Sequence, residues 1–218
     1  MEGEFVVHGS AGTGSVIVEA ALTLLGLPYR LADPTLAEDY EGALDAALAV
    51  NPMRQLPALL LPSGEVMTES CAILIWLTES YGDGALAPRP GDPLRPAFLR
   101  WMAFVNSQLY AHFWVRDDAS RVVTGEDAQK EVARKLAERI AYGFGVMEAG
   151  TGPGPYVLGE QLTPLDLYVA VISRWVPGRK KLGAVAPRLR ETARRVDSDP
   201  RLAALWAQRF PFPDGWTG

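Results

Sequence analysis

The chain has 218 residues, 48% apolar and 22% charged, the balance of a folded globular protein and not of a disordered one. A net charge of -5 leaves no overall electrostatic footprint for nucleic acid, and no run approaches the ~20 apolar residues of a membrane span. The single cysteine, Cys71, excludes an intrachain disulfide framework and fits a reducing compartment; the start MEGEFVVHGS lacks the pattern of a secretory signal, so a cytoplasmic protein is expected.

Phe5-Val6-Val7 reads as a short strand, followed by the small-residue loop HGSAGTG. Ser15 to Leu25 carries an apolar face (Val16, Ala20, Ala21, Leu24) and stops at Gly26, a good helix terminator. Pro28 to Leu31 restarts an extended segment, so these pieces make a βαβ unit with a parallel strand pair. Leu36 to Val50 is alanine-rich and acidic, with no basic residue, and reads as a short exposed helix. Ala58 to Leu61 is an apolar run between two prolines, too short for a helix. Ser63-Gly64 turns the chain into a second strand, Glu65 to Met67. Ser70 reads as the N-cap of a helix whose apolar body is Cys71 to Leu77. The order βαβ-α-ββ-α is thioredoxin-like.

Tyr81 to Pro96 breaks the pattern with three glycines and four prolines, the composition of a linker. The remainder reads as helical: Ala97 to Arg121, then Gly125 or Glu126 to about Met147, a Gly/Pro loop, and a helix Leu167 to Trp175. Thr163-Pro164-Leu165-Asp166 opens that helix as a capping box with aspartate in place of the usual glutamate, a structural feature. Ala186 to Val196 and Pro200 to Gln208 are two further helices, and the tail FPFPDGWTG wraps the surface. The expected fold class is α/β plus all-α. A thioredoxin-like domain spans 1–82, a linker 83–96 and an all-helical domain 97–218.

Two features of the stretch from Asn51 to Leu77 admit a reading beyond structure. A cis bond before Pro57 would leave the peptide N–H and C=O of Leu56 open to an extended ligand. The helix start at Glu69-Ser70 presents N–H groups that suit a carboxylate, and the Glu69 side chain suits an ammonium; together they fit an amino-acid head group. An ordinary trans proline and an ordinary cap explain the same residues.

The run NP-x-x-QLPAL, followed by TES-x-AIL-x-WL from Thr68, resembles the glutathione-binding half of the glutathione S-transferase family, of a bacterial beta-like or phi/theta-like kind. The resemblance implies that Pro57 is cis, that Leu56 pairs with the cysteinyl part of glutathione, that Gln55 helps hold the tripeptide, and that Glu69 and Ser70 hold its γ-glutamyl end. It also implies a homodimer that conjugates glutathione to small apolar electrophiles and needs no metal. In that family the glutathione sulfur lies where the first strand meets the first helix. There a hydroxyl donor and a helix N-terminus favour the thiolate over a thiol of ordinary pKa ~8.5.

The candidate donors are Thr13, Ser10 and Ser15 in GSAGTGS. Thr13 falls on the family's activating serine, while Gly14 stands where beta-class members carry a cysteine, and the loop has no tyrosine. Backbone N–H groups alone are the alternative. Along the first long helix of the second half, Tyr110, Phe113 and Trp114 fall near the family's second-substrate pocket, with a place in the core as the alternative, whereas Trp101 and Phe104 read as core. Arg116 reads as solvated. His8 and His112 have no metal-ligand spacing; His8 reads as a strand-end residue. Cys71 reads as a buried structural thiol, and the basic run Arg174 to Arg195 as a solvated face. The rival function is a non-catalytic glutathione-binding or protein-interaction module of the same fold. A glutathione-dependent peroxidase, isomerase or dehalogenase would share the thiolate step.

Overall fold

The computed structural model describes residues 3–175, 179–213 and 216. The chain divides into two compact units. The first holds the chain up to Arg89 and resumes at Arg195; the second runs from Pro90 to Arg194. The sequence reading assigned everything after residue 97 to a helical domain. The grouping of the last segment with the sheet differs from that, for a reason that lies in side-chain chemistry described below.

In the first unit, β1 (Phe5–His8), α1 (Ser15–Leu24) and β2 (Tyr29–Ala32) form the βαβ unit. A 3₁₀ turn (Pro34–Leu36) and α2 (Tyr40–Ala49) lead to β3 (Ala58–Leu60), β4 (Val66–Met67) and α3 (Ser70–Tyr81). The sheet order is β2-β1-β3-β4. β1 runs parallel to β2, with Val6 beside Arg30, and antiparallel to β3, with Val7 beside Leu59. This is the thioredoxin-like order read from the sequence.

The helix α1 forms because its apolar residues recur at helical spacing and its end is well terminated. Leu27 N–H bonds the Leu22 carbonyl and Gly26 N–H bonds that of Thr23, with Gly26 at φ 66. This Schellman arrangement needs a residue without a Cβ penalty. Val18 and Leu22 of α1 meet Ile73 and Leu77 of α3 over Phe5, Val7 and Leu59, all of them buried. Phe5, Trp76 and Tyr81 extend this core edge to face. α2 begins later than the alanine-rich run predicts, because Asp39 caps it by accepting from Gly42 N–H.

The first unit closes with a 3₁₀ turn (Pro200–Leu202) and a short terminal helix, whose label follows those of the second unit. Asp199 caps the turn by accepting from Arg201 N–H. Of the tail, Phe212 stacks on Trp216, while positions 214, 215, 217 and 218 lie outside the described residues.

The second unit contains α4 (Arg95–Phe104), α5 (Ala111–Asp117), α6 (Glu126–Gly150), α7 (Pro164–Ile172), α8 (Arg179–Val185) and most of α9 (Pro187–Asp197). Where the sequence predicts one helix from 97 to 121, a π-helical segment at Val105–Tyr110 separates α4 from α5, and a 3₁₀ turn follows at Ala119–Arg121. α7 is the centre of this unit: every residue from Pro164 to Ile172 is buried. The basic run is not a uniformly solvated face. Arg179 is buried and donates to the Ala170 carbonyl, and Arg188 pairs with Glu148. The terminal helix of the first unit is α10 (Ala203–Arg209). Among the described residues, no helix is long and apolar enough to cross a membrane.

Candidate functional site

The edge of the first unit is built by a loop that one buried side chain organises. Asn51 donates from Nδ2 to the Gln55 carbonyl at 2.9 Å and accepts from Met53 N–H at 2.9 Å. The loop delivers the chain to a cis Leu56-Pro57 peptide, as expected. Pro57 is buried and β3 starts directly after it. Among the described residues, neither peptide group of Leu56 has a hydrogen-bond partner. A polar edge of this kind fits a strand-like ligand.

The start of α3 differs from the sequence reading in one respect. The capping position belongs to Glu69, not Ser70; Ser70 is the first helical residue and is buried. Glu69 sits at φ 64, in the left-handed region that a residue with a Cβ seldom occupies, and its side chain is exposed. The Glu69 side chain makes no capping hydrogen bond. A helix N-terminus carries a partial positive charge that suits a carboxylate, and Glu69 supplies a negative charge beside it. Cys71 is half-buried, not buried. Burial, and after it the Glu69 charge, push its thiol up to about 11, so it stays protonated at neutral pH.

The loop between β1 and α1 brings the three candidate hydroxyls together. Thr13 donates to the Ser10 carbonyl at 2.7 Å and accepts from Ser15 N–H at 3.3 Å. The Ser15 hydroxyl lies 3.1 Å from Thr13 Oγ1, 3.0 Å from the Ser10 carbonyl and 3.1 Å from Glu19 Oε1. Ser15 is fully buried, and its hydroxyl faces the loop's interior. Ser10 is partly exposed and its hydroxyl faces Asp33 at 3.4 Å. Thr13 is likewise partly exposed.

Behind this loop lies a buried ionic network that the sequence reading missed. Arg209 donates from Nε to Glu19 Oε2 at 2.6 Å and from Nη2 to Glu19 Oε1 at 3.2 Å. Its Nη1 donates to Asp33 Oδ2. Asp33 Oδ1 accepts from Thr35 N–H at 2.8 Å and from the Thr35 hydroxyl at 2.7 Å. Burial works against the Asp33 carboxylate, but the hydrogen bonds from Thr35 and Arg209 outweigh it and hold the carboxyl below its ordinary 3.8. Burial likewise opposes the Arg209 charge, and Glu19 and Asp33 overcome it. This network is why the terminal helix groups with the sheet. One signal was available: Glu19 is the lone charge in SVIVEAALTLL, and a carboxylate on a buried helix face requires a cation. Nothing local said that the cation would come from residue 209.

Residues 15–80 match the family model described as the glutathione S-transferase N-terminal domain. A GST-like protein of Escherichia coli K12, YncG, described as uncharacterized, is 32% identical over 90% of this chain and 94% of its own length. The chain belongs to the glutathione S-transferase family. The E. coli O157:H7 glutathione S-transferase GstA is 28% identical over 73% of this chain and 78% of its own. Among solved structures, a glutathione transferase homologue from Sulfitobacter with bound glutathione superposes with a TM-score of 0.80, covering 95% of this chain and 98% of that one at 22% identity. That likeness is one of fold.

In this family member the aromatic residues proposed for a second substrate fall into different environments. Tyr110 ends the π-helical segment and packs against Tyr168 and Trp175, with ring centroids 5.8 and 5.7 Å away. Phe113 is buried against Trp175 at 5.0 Å and reads as core. Trp114 is 44% exposed, with the Arg121 guanidinium over its ring. Arg116 is not simply solvated; it lies over Phe113 and pairs with Asp117. His112 bonds the Gln108 carbonyl through Nδ1. His8 ends β1; burial, and after it the Arg30 charge, lower its pKa, which keeps its ring neutral at neutral pH.

Proposed function

We propose that this chain binds glutathione along the Gln55-Leu56-Pro57 edge and at Glu69-Ser70, holds the sulfur beside Thr13 as thiolate, and delivers it to small apolar electrophiles. The observation that carries the reading is the cis Leu56-Pro57 peptide at the sheet edge together with a helix start flanked by the exposed Glu69 carboxylate. A tripeptide with an amino-acid head group matches that set: its backbone satisfies Leu56, its carboxylate meets α3, and its ammonium meets Glu69. Membership of the family and the glutathione in the Sulfitobacter homologue support it.

In the chemical step the thiol proton leaves to solvent and the thiolate sulfur forms a bond to the electrophilic carbon. The displaced group departs with the bonding electron pair, or the carbanion of an addition takes up a proton. The chain contributes proximity and a lowered thiol pKa. For the electrophile we propose Tyr110, Phe113 and Trp114, of which Phe113 is the most buried and Trp114 the most exposed. A cytosolic homodimer, as the family resemblance implies, completes the proposal.

One observation favours the rival reading, a glutathione binder without turnover. The Thr13 hydroxyl proton is already engaged by the Ser10 carbonyl at 2.7 Å. Calorimetry with glutathione tests the shared premise. A charge-assisted contact is worth roughly 1.5–3 kcal/mol, so Glu69→Gln should weaken glutathione by about 10- to 100-fold. An unchanged affinity would remove Glu69 from the site. Binding without turnover of any apolar electrophile would favour the rival.

A further inference from the structure

The geometry points to Arg209 as the positioning residue of the thiol-site loop, an inference that rests on the thiol-site assignment above. Among the described residues, three anchors of the loop from Gly9 to Ser15 lead to this one residue. The Arg209 carbonyl accepts from Gly12 N–H at 2.7 Å. Its guanidinium holds Glu19, whose Oε1 faces the Ser15 hydroxyl at 3.1 Å. The same guanidinium holds Asp33, whose Oδ1 faces the Ser10 hydroxyl at 3.4 Å. These three anchors, Ser10, Gly12 and Ser15, bracket Thr13. Phe210, the next residue, lies beside Gly12, where a Cβ would come within 3.8 Å of its ring.

The anchoring is also an electrostatic arrangement. Glu19 and Asp33 are both buried acids, and each would repel a thiolate held at the loop. Arg209, itself buried, stands between them and offsets that repulsion. Its loss would loosen the loop and expose the thiolate to two uncompensated carboxylates. Both effects raise the thiol pKa. The tripeptide contacts at Leu56 and Glu69 involve none of these groups. Arg209 should therefore act on ionisation of the sulfur and not on capture of the peptide.

Two variants and a control test this. Arg209→Met removes the cation, and Arg209→Lys keeps the charge without the planar fork. Met147→Ala, a buried residue of the second unit, is the control for general destabilisation. Hydrogen exchange in the ligand-free protein is the first readout. Arg209→Met should speed exchange of the amides from 12 to 16 by about tenfold or more relative to those of the sheet, and Met147→Ala should not. Bound glutathione is the second readout: its thiol pKa should rise by about a unit in Arg209→Met and by less in Arg209→Lys, while affinity for S-methylglutathione, which has no thiol proton, stays within about threefold. Unchanged loop exchange, or an equal effect in Met147→Ala, would overturn the inference. So would a loss of S-methylglutathione affinity in step with the pKa. If wild type binds no glutathione, the functional reading fails while loop exchange still decides the role of Arg209. If Arg209→Met does not fold, Arg209→Lys carries the same comparison.

Discussion

Replacing Asp166 by alanine should lower the unfolding free energy by about 3–5 kcal/mol, the sum of two orphaned buried N–H groups and a lost cap. The carboxylate is fully buried. Its Oδ1 accepts from Val157 N–H at 2.8 Å; its Oδ2 accepts from Thr163 N–H at 2.7 Å and from the Thr163 hydroxyl at 3.0 Å. It thus starts α7, the most buried helix of its unit, and ties the preceding loop to it. Urea unfolding at neutral pH measures the loss.

The same side chain makes a pH prediction. Burial pushes the Asp166 carboxyl from 3.8 up to about 6, against the hydrogen bonds that favour its charge. A group whose pKa is raised in the folded state contributes fully below its unfolded pKa and loses that contribution as pH rises through the folded value. The stability of wild type relative to Asp166→Asn should therefore be greatest near pH 4 and shrink by up to about 3 kcal/mol by pH 7. A difference that grows with pH would contradict this account.

The second large effect falls on chemistry. Thr13→Ala should raise the pKa of bound glutathione by about a unit, because a hydrogen bond to a charged group is worth roughly 1.5–3 kcal/mol and a unit is about 1.4. At a pH below both values, kcat/KM should fall about tenfold, and it should recover as pH rises past the new pKa. Thr13→Ser should keep the wild-type value. For Thr13 to donate, its proton must leave the Ser10 carbonyl, and the Ser15 hydroxyl, 3.0 Å from that carbonyl, is placed to replace it. Ser15→Ala should then raise the pKa too, through the loop. An unchanged pKa in Thr13→Ala would assign the task to backbone N–H groups.

Local physics made most of the fold legible. Short apolar runs and turn residues placed β1 to β4, Gly26 ended α1, and Thr163 with Asp166 opened α7, each through interactions within a few residues. The cis bond before Pro57 was legible through the family motif. What was hidden is of two kinds. Small shifts in cap geometry moved the capping position from Ser70 to Glu69 and buried Ser15, because a hydroxyl's direction depends on its neighbours and not on its spacing. Long-range charge pairing was hidden altogether. Glu19 and Arg209 are 190 positions apart, and only the folded chain places the terminal helix behind the loop between β1 and α1. The π-helical segment at Val105–Tyr110 belongs to the same class, since the apolar pattern runs through it unbroken.

The measurement that bears most directly on the central claim is the thiolate absorbance of glutathione bound to the wild-type protein, followed against pH. Free thiols of this kind ionise near 8.5; we predict a bound value lower by about a unit or more. Binding with an unchanged thiol pKa, or no binding at all, would contradict a transferase and leave a non-catalytic member of the family.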